Sequence, residues 1–277
     1  MTSIEPDARP ARGRRARRAE RQGTRRHVSV IGLIGELLIT GGVLVMLFIA
    51  WQLWWNDMIV AREQSSAAAA ISKGWIDEAR QQGERDSTPG EPEPTVTPDY
   101  GEPVVAAAPG RTQPFAVLYV PRFGADYRRT VAEGTGHDVL NSTTLGIGHY
   151  PDTQMPGEVG NFAVAAHRSA YGGGMHLINE LQLNDAIYVQ TADGYYTYRF
   201  RDMEYVAPSR VEVLTPVPNA PGVAPLDRII TLTSCNPLYS TAERIIAYGV
   251  LESWQPTSAG APAGLAPIIA AQAQAQG

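Results

Sequence analysis

Between Val28 and Trp55 the chain reads VSVIGLIGELLITGGVLVMLFIAWQLWW, with Glu36 as its one charge. A run of this length crosses a hydrocarbon core of roughly 30 Å as a helix, so residues 28–55 are expected to form a single transmembrane helix. Trp51, Trp54 and Trp55 gather at its far end, where indoles favour the headgroup layer. Ahead of the run, residues 1–27 hold nine arginines against Glu5, Asp7 and Glu20, a net of +6, which leaves −11 on the rest of a chain of formal charge −5. A basic arm alone would fit a nucleic-acid tail, but one that leads straight into an apolar span marks the cytoplasmic side. The expected topology is a cytoplasmic arm at 1–27, a single pass through the cell membrane, and an extracellular bulk, with no nucleic-acid partner. A cleaved signal peptide fits less well, because the run exceeds the roughly 7–15 residues of such a core and no small-x-small site follows promptly. Glu36 lies within two turns of the cytoplasmic end, close enough to snorkel.

Past the span, residues 56–82 keep a helical pattern, and residues 83–113 turn to Pro, Gly and acids (PGEPEPTVTPDYGEP). Residues 56–113 therefore predict a helical stalk followed by a disordered linker. Residues 114–254 change texture again. FAVLYVP (115–121), NFAVAA (161–166), DAIYVQT (185–191), GYYTYRFRDMEYV (194–206), RVEVL (210–214), DRIITLTS (227–234) and RIIAYGVLES (244–253) are short and rich in β-branched and aromatic residues, with Gly, Pro, Asn or Asp at most boundaries. The longest, 194–206, alternates about Tyr196, Tyr198 and Phe200 as a half-buried strand would. Only MHLINELQ (175–182) reads as a short helix. The expectation is a mainly β domain, a closed barrel, which removes open edges. Residues 255–277, uncharged and rich in Ala, Pro, Gly and Gln, read as a flexible tail whose apolar patch is too short for a second span.

Cys235, in TLTSCNPLYSTAER, is the one cysteine in 277 residues. An unpaired cysteine in an outer domain is either a small buried hydrophobe or a reactive thiol. Its place at the end of a strand favours the second reading: if 227–234 and the strand from Arg244 form a hairpin, Cys235 and Arg244 oppose each other within side-chain reach, and a cation there favours thiolate. A thiolate needs a proton partner. His27 falls on the cytoplasmic side; His137 sits in a polar loop and His176 on the short helix, both places where a histidine is commonly solvated or packed. His149, after glycines in LGIGHYPDT, is placed to line a cleft. His167 ends the apolar strand NFAVAA and opens a Gly-rich loop, a favoured place for reactive groups. The histidines lack a carboxylate set and no CxxC occurs, so neither metal nor other cofactor is expected.

TLTSCNPLYSTAER with its following strand resembles the TLxTC signature of sortases, the membrane-anchored cysteine transpeptidases of Gram-positive bacteria. NFAVAAHRSAYGGGMHLINEL is similar to the segment around that family's histidine. The nine-residue step from Cys235 to Arg244 and the phrase VPRFGADY resemble most the class E sortases of actinobacteria. The resemblance spans about 115–254, and the basic arm, span and tether fit the same layout. It implies a sortase-type β-barrel of about eight strands with short helices, with Cys235 as nucleophile, His167 as general acid and Arg244 as substrate clamp and oxyanion stabiliser. It further implies a thiol peptidase chemistry: an LPxTG- or LAxTG-like sorting signal on a surface protein is cut between Thr and Gly through a thioester, and the acyl group passes to the amine of a peptidoglycan precursor. Ser234, Tyr127, Tyr239 and His149 are the implied substrate-binding candidates, with Tyr150 beside them. Two positions depart from the family pattern: Ser234 where Thr is usual, and Ala166 where Gly is common.

Other readings share these residues. A tethered cysteine peptidase or esterase would pass the acyl group to water, and an anchored binding module would keep Cys235 as packing. Within the family, pilin polymerisation goes with a lid and a second membrane helix, neither of which is read here; wall anchoring is the expectation, with the sorting motif, the acceptor and the oligomeric state left open.

Overall fold

The computed structural model describes residues 29–86 and 99–275, so the basic arm at 1–27, the middle of the linker and the last two residues lie outside the described residues. The apolar run and the stalk form one element, helix α1 (Val30–Asp86). It continues past Trp55 because residues 56–73 contain no Gly or Pro and carry the run of four alanines at 67–70, the strongest of helix formers. Its N-terminal part is the one helix, among the described residues, long and apolar enough to cross a membrane, and side chains such as Ile31, Leu38 and Met46 stand exposed along it.

The eight strands are β1 (Pro114–Tyr119), β2 (Arg128–Glu133), β3 (Gly146–His149), β4 (Gly160–Ala166), β5 (Ala186–Gln190), β6 (Gly194–Val206), β7 (Arg228–Asn236) and β8 (Glu243–Pro256). They close into a barrel in the order β1-β2-β3-β4-β7-β8-β6-β5, with β5 pairing back to β1. The pairs β2–β3 and β4–β7 are parallel and the rest antiparallel. Phe162, Val164, Ile230, Leu232, Ile245, Ala247, Tyr196 and Tyr198 meet in the interior. Alternate residues of each strand face inward, a parity that decides which side chains line the site.

The mainly β closed barrel is as expected, but several elements differ. Residues 210–214 are not a strand: Val211–Leu214 is a 3₁₀ turn that drops Val213 onto Val206 and Ile246. The helix expected over 175–182 reduces to a 3₁₀ turn at Ile178–Glu180, and His137 opens a one-turn helix, α2 (His137–Leu140), rather than a loop. β2 and β3 had no counterpart in the strand reading. The first half of β6 does not alternate, being buried on both faces. The cause is a second layer: Ala68, Ile71 and Trp75 of α1 and Leu265, Ile268 and Ile269 cover Val117, Tyr119, Tyr188 and Tyr195 on the outer face of β1, β5 and β6.

That layer corrects two further expectations. The supposed flexible tail contains helix α3 (Ala266–Ala275), fixed to α1 by a hydrogen bond from Gln272 Nε2 to the Ala69 carbonyl (3.0 Å). The described end of the linker is likewise not free. Trp254 Nε1 donates to Gly101 O (2.8 Å), the Tyr196 hydroxyl to Val104 O (2.5 Å), and Arg228 pairs with Glu102. Charged and small residues cannot form a core of their own, but they can lie against one that is already formed.

Candidate active site

β7 ends in Ser234-Cys235-Asn236 and pairs with β8 in a register that sets Cys235 opposite Arg244 and Asn236 opposite Glu243. On the other side β7 runs parallel to β4, with Ala165 against Thr233. The pairing ends there, and His167 is the first residue past β4; continued by two residues, the same register would set it beside Cys235. Strand parity then aligns all three. Leu232, Ala166 and Ile245 belong to the inward-facing set, so Cys235 and Arg244 fall on the outer face of β7 and β8, and His167, just past β4, follows with the same parity. Neighbouring strands lie about 4.8 Å apart, a spacing that puts Cys235 and Arg244 within side-chain reach of each other and the end of β4 on the other side of Cys235.

The loop after β4 holds His167 in place. Met175 N donates to His167 O (3.0 Å), and Tyr171, Gly172 and Gly173 make the turn with φ of 50°, 84° and 52°. His167 Nε2 bonds Asn141 Oδ1 at 2.8 Å, and the Tyr171 ring lies 5.0 Å from the imidazole. Nδ1 is left for chemistry if Nε2 carries the proton to Asn141. Burial lowers the pKa of His167 below its ordinary 6.5, His137 adds to the lowering, and the carboxylate of Asp57 opposes both. Arg244 sends Nη1 to the carbonyls of Thr241 (3.1 Å) and Glu243 (3.0 Å), and no carboxylate among the described residues is within ion-pair range of it. A half-buried cysteine, a desolvated imidazole and an unneutralised guanidinium in one row can attack a carbonyl, supply a proton and hold an oxyanion.

The substrate-binding candidates divide. Tyr239, in the β7–β8 connection at φ 64°, is 79% exposed and stands two residues beyond the cis bond that follows Asn236. Tyr150 is half-buried, its hydroxyl 3.1 Å from Thr233 Oγ1 on the outer face of β7. The other three do not line a groove. His149 has the inward parity of Ile147 and is buried: Nδ1 meets Glu133 Oε2 (2.6 Å), Nε2 meets Thr153 Oγ1 (2.9 Å), and the ring sits between Phe115 and Phe162. Tyr127 is buried with its hydroxyl on Gly174 O (2.5 Å), Phe123 at its edge and Arg129 over its face. Ser234 has the inward parity of Leu232, and its hydroxyl donates to Ala166 O (2.8 Å).

Sequence reading missed the supports of the row. Asn141 gave no signal, being remote from every motif. Arg168 stood in plain view next to His167, yet only the fold shows that it is buried and joins the ends of β4 and β7, donating to Asn236 Oδ1 and to Asn179 Oδ1 (3.0 Å for the latter). Asn236 in turn donates to Glu243 Oε2 (2.9 Å), which fastens the hairpin that carries Cys235 and Arg244.

Residues 118–252 match the sortase domain family. Sortase SrtE1 of Streptomyces coelicolor is 33% identical over 255 residues, an alignment that covers 90% of this chain but only 64% of that protein's length. Among solved structures, the SrtA sortase from Actinomyces oris superposes with a TM-score of 0.56 at 37% identity, over 60% of this chain and 95% of that one. Sortase E from Streptomyces avermitilis gives 0.51 at 37% identity, over 56% and 99% respectively.

Proposed function

This chain belongs to the sortase family and is similar to class E members of it, and from that premise we propose that it is a membrane-anchored cysteine transpeptidase that attaches surface proteins to the cell wall. The observation that carries the reading is the row of His167, Cys235 and Arg244 across β4, β7 and β8. In the proposed cycle the Cys235 thiolate attacks the Thr carbonyl of an LPxTG- or LAxTG-like signal. Arg244 holds the resulting oxyanion. As the C–N bond breaks, His167 gives its proton to the leaving glycine amine, and a thioester remains on Cys235. The acceptor amine, on a peptidoglycan precursor, then attacks the thioester; its proton passes to His167 and the thiolate is released. No carboxylate among the described residues bonds His167; its hydrogen-bond partner is the neutral Asn141. The imidazolium is therefore not stabilised as in a Ser-His-Asp site. α1 serves as a single-pass anchor with the barrel outside, a placement supported by the arginines of the N-terminal arm. Among the candidate contacts, Tyr239 and Tyr150 are the ones proposed to touch the sorting signal.

The test is product analysis. The chain is incubated with a sorting-signal peptide and excess amine, and the products are weighed by mass spectrometry. The amide is expected, along with a trapped acyl adduct on Cys235 and complete loss in Cys235→Ala. Free acid as the main product despite excess amine would make the protein a peptidase instead.

A further inference from the structure

Behind the His167 loop lies the side chain of Gln64. It is wholly buried although it belongs to α1, and its Nε2 donates to two carbonyls from different segments: Ser142 O at 2.8 Å and Tyr171 O at 3.0 Å. Ser142 follows Asn141, whose side chain bonds the His167 ring; Tyr171 lays its own ring along that imidazole. One amide nitrogen thus ties together the two segments between which His167 is held.

The surroundings are shaped to this amide. A Cβ at Gly146 would lie 2.6 Å from Gln64 Nε2, and one at Gly172 would lie 2.7 Å from Oε1. Both glycines also have positive φ, 97° and 84°, so any other residue there meets both strain and a clash. The amide oxygen, moreover, is buried without a partner among the described residues. An apolar side chain of the same volume would fill this space without that desolvation cost, so packing alone does not account for a glutamine here. Asp57, two turns earlier on α1, acts electrostatically on the same histidine.

We propose that Gln64 is a positioning residue for the His167 imidazole, acting through Asn141 and Tyr171, and that the outer stretch of α1 is a working part of the active site rather than a spacer. Gln64 touches neither substrate nor reacting atoms. The role rests on the reading of His167 as the proton donor.

The experiment uses the full chain in detergent micelles, with a sorting-signal peptide and an amine. Gln64→Met keeps length and volume and removes both donors. It is expected to lower kcat about tenfold or more with KM within about twofold, because a small displacement of a reacting group is felt in the chemical step. Gln272→Met removes a buried amide of the same kind from another contact of α1, the bond to Ala69; it is expected to lower the thermal midpoint and leave kcat unchanged. In the double variant Gln64→Met/Asn141→Ala, the loss of kcat should not exceed that of Asn141→Ala alone, since both act through one imidazole. If Gln64→Met does not fold, Gln64→Glu replaces it: a buried carboxyl, kept protonated by desolvation, offers one donor for two carbonyls, and kcat should fall by less but in the same direction. A Gln64 variant with wild-type kcat, additive losses in the double variant, or an equal loss in Gln272→Met would overturn the proposal. His167→Ala separates the two levels. If the wild type is active, His167→Ala is inactive and the Gln64 variant is at full rate, only the role of Gln64 is lost; an inactive wild type or an active His167→Ala removes both.

Discussion

His167 is pulled in three directions, and each has a consequence for rate. Burial and His137 depress its pKa below 6.5 and Asp57 raises it. Transfer through the proposed cycle needs thiolate and imidazolium together. Below the pKa of His167 the imidazolium is already saturated while thiolate keeps shrinking, so the acid limb of kcat/KM marks the histidine. That limb is expected below pH 6.5. His137→Gln removes the neighbour that adds to the lowering of the His167 pKa and should move the limb upward and raise the plateau, because more imidazolium coexists with thiolate; Asp57→Asn should do the opposite. Rate measurements with a sorting peptide across pH check both signs, and a limb that stays fixed in both variants would remove His167 from the rate law. Arg244 has a separate signature. Loss of an oxyanion donor costs about 10²–10³ in kcat, so Arg244→Ala is expected in that range. Arg244→Lys should recover little, since an ammonium lacks the planar fork.

At the level of strands, Ser234 shows what a single residue of register means. One position from Cys235, it faces inward and its hydroxyl holds the end of β4 through Ala166 O. Ser234→Ala removes that buried bond and should cost about 0.5–1.5 kcal/mol, while Ser234→Thr keeps it; denaturant unfolding distinguishes the two. The same period of two divides what could be read in the sequence from what could not. The end of β7 and its pairing with β8 were legible because DRIITLTS and RIIAYGVLES are apolar, β-branched and broken by Asn-Pro, and with them came the Cys235–Arg244 opposition. β2 was not, since RRTVAE carries three charges. Its Arg129 lies over the Tyr127 ring and its Glu133 meets His149, so charges that read as solvent-facing are in fact buried with partners. β3, GIGH, is four residues with two glycines, too little for a periodic signal. The converse error fell at VEVL, where alternation is genuine but the chain turns before a partner strand is available. The neighbours of His149 and Tyr127 in sequence point to a groove; parity and aromatic contacts, which only the closed barrel fixes, put them inside.

At the largest scale, residues from Ala50 onward form a barrel with a helical layer over the outer face of β1, β5 and β6. Leu265, fully buried, bridges that layer to Val117, Tyr119, Tyr188 and Tyr195. Leu265→Ala is therefore expected to destabilise the protein by about 2–5 kcal/mol, as for a core leucine and unlike a residue in a loose tail; urea unfolding followed by tryptophan fluorescence measures it. A chain starting at Asp99 separates the barrel from that layer. It would keep every strand and the whole row of Cys235, His167 and Arg244, and so by motif alone it should be an active enzyme. It would lack Ala68, Ile71 and Trp75 over the tyrosines, and Gln64 behind the imidazole. The expected result is a lower unfolding midpoint, binding of a hydrophobic dye at the uncovered face of β1, β5 and β6, and a fall in kcat larger than the fall in folded fraction. Stability and rate equal to those of a chain that begins at Ala50 would show instead that the barrel is self-sufficient and the helical layer an addition to it.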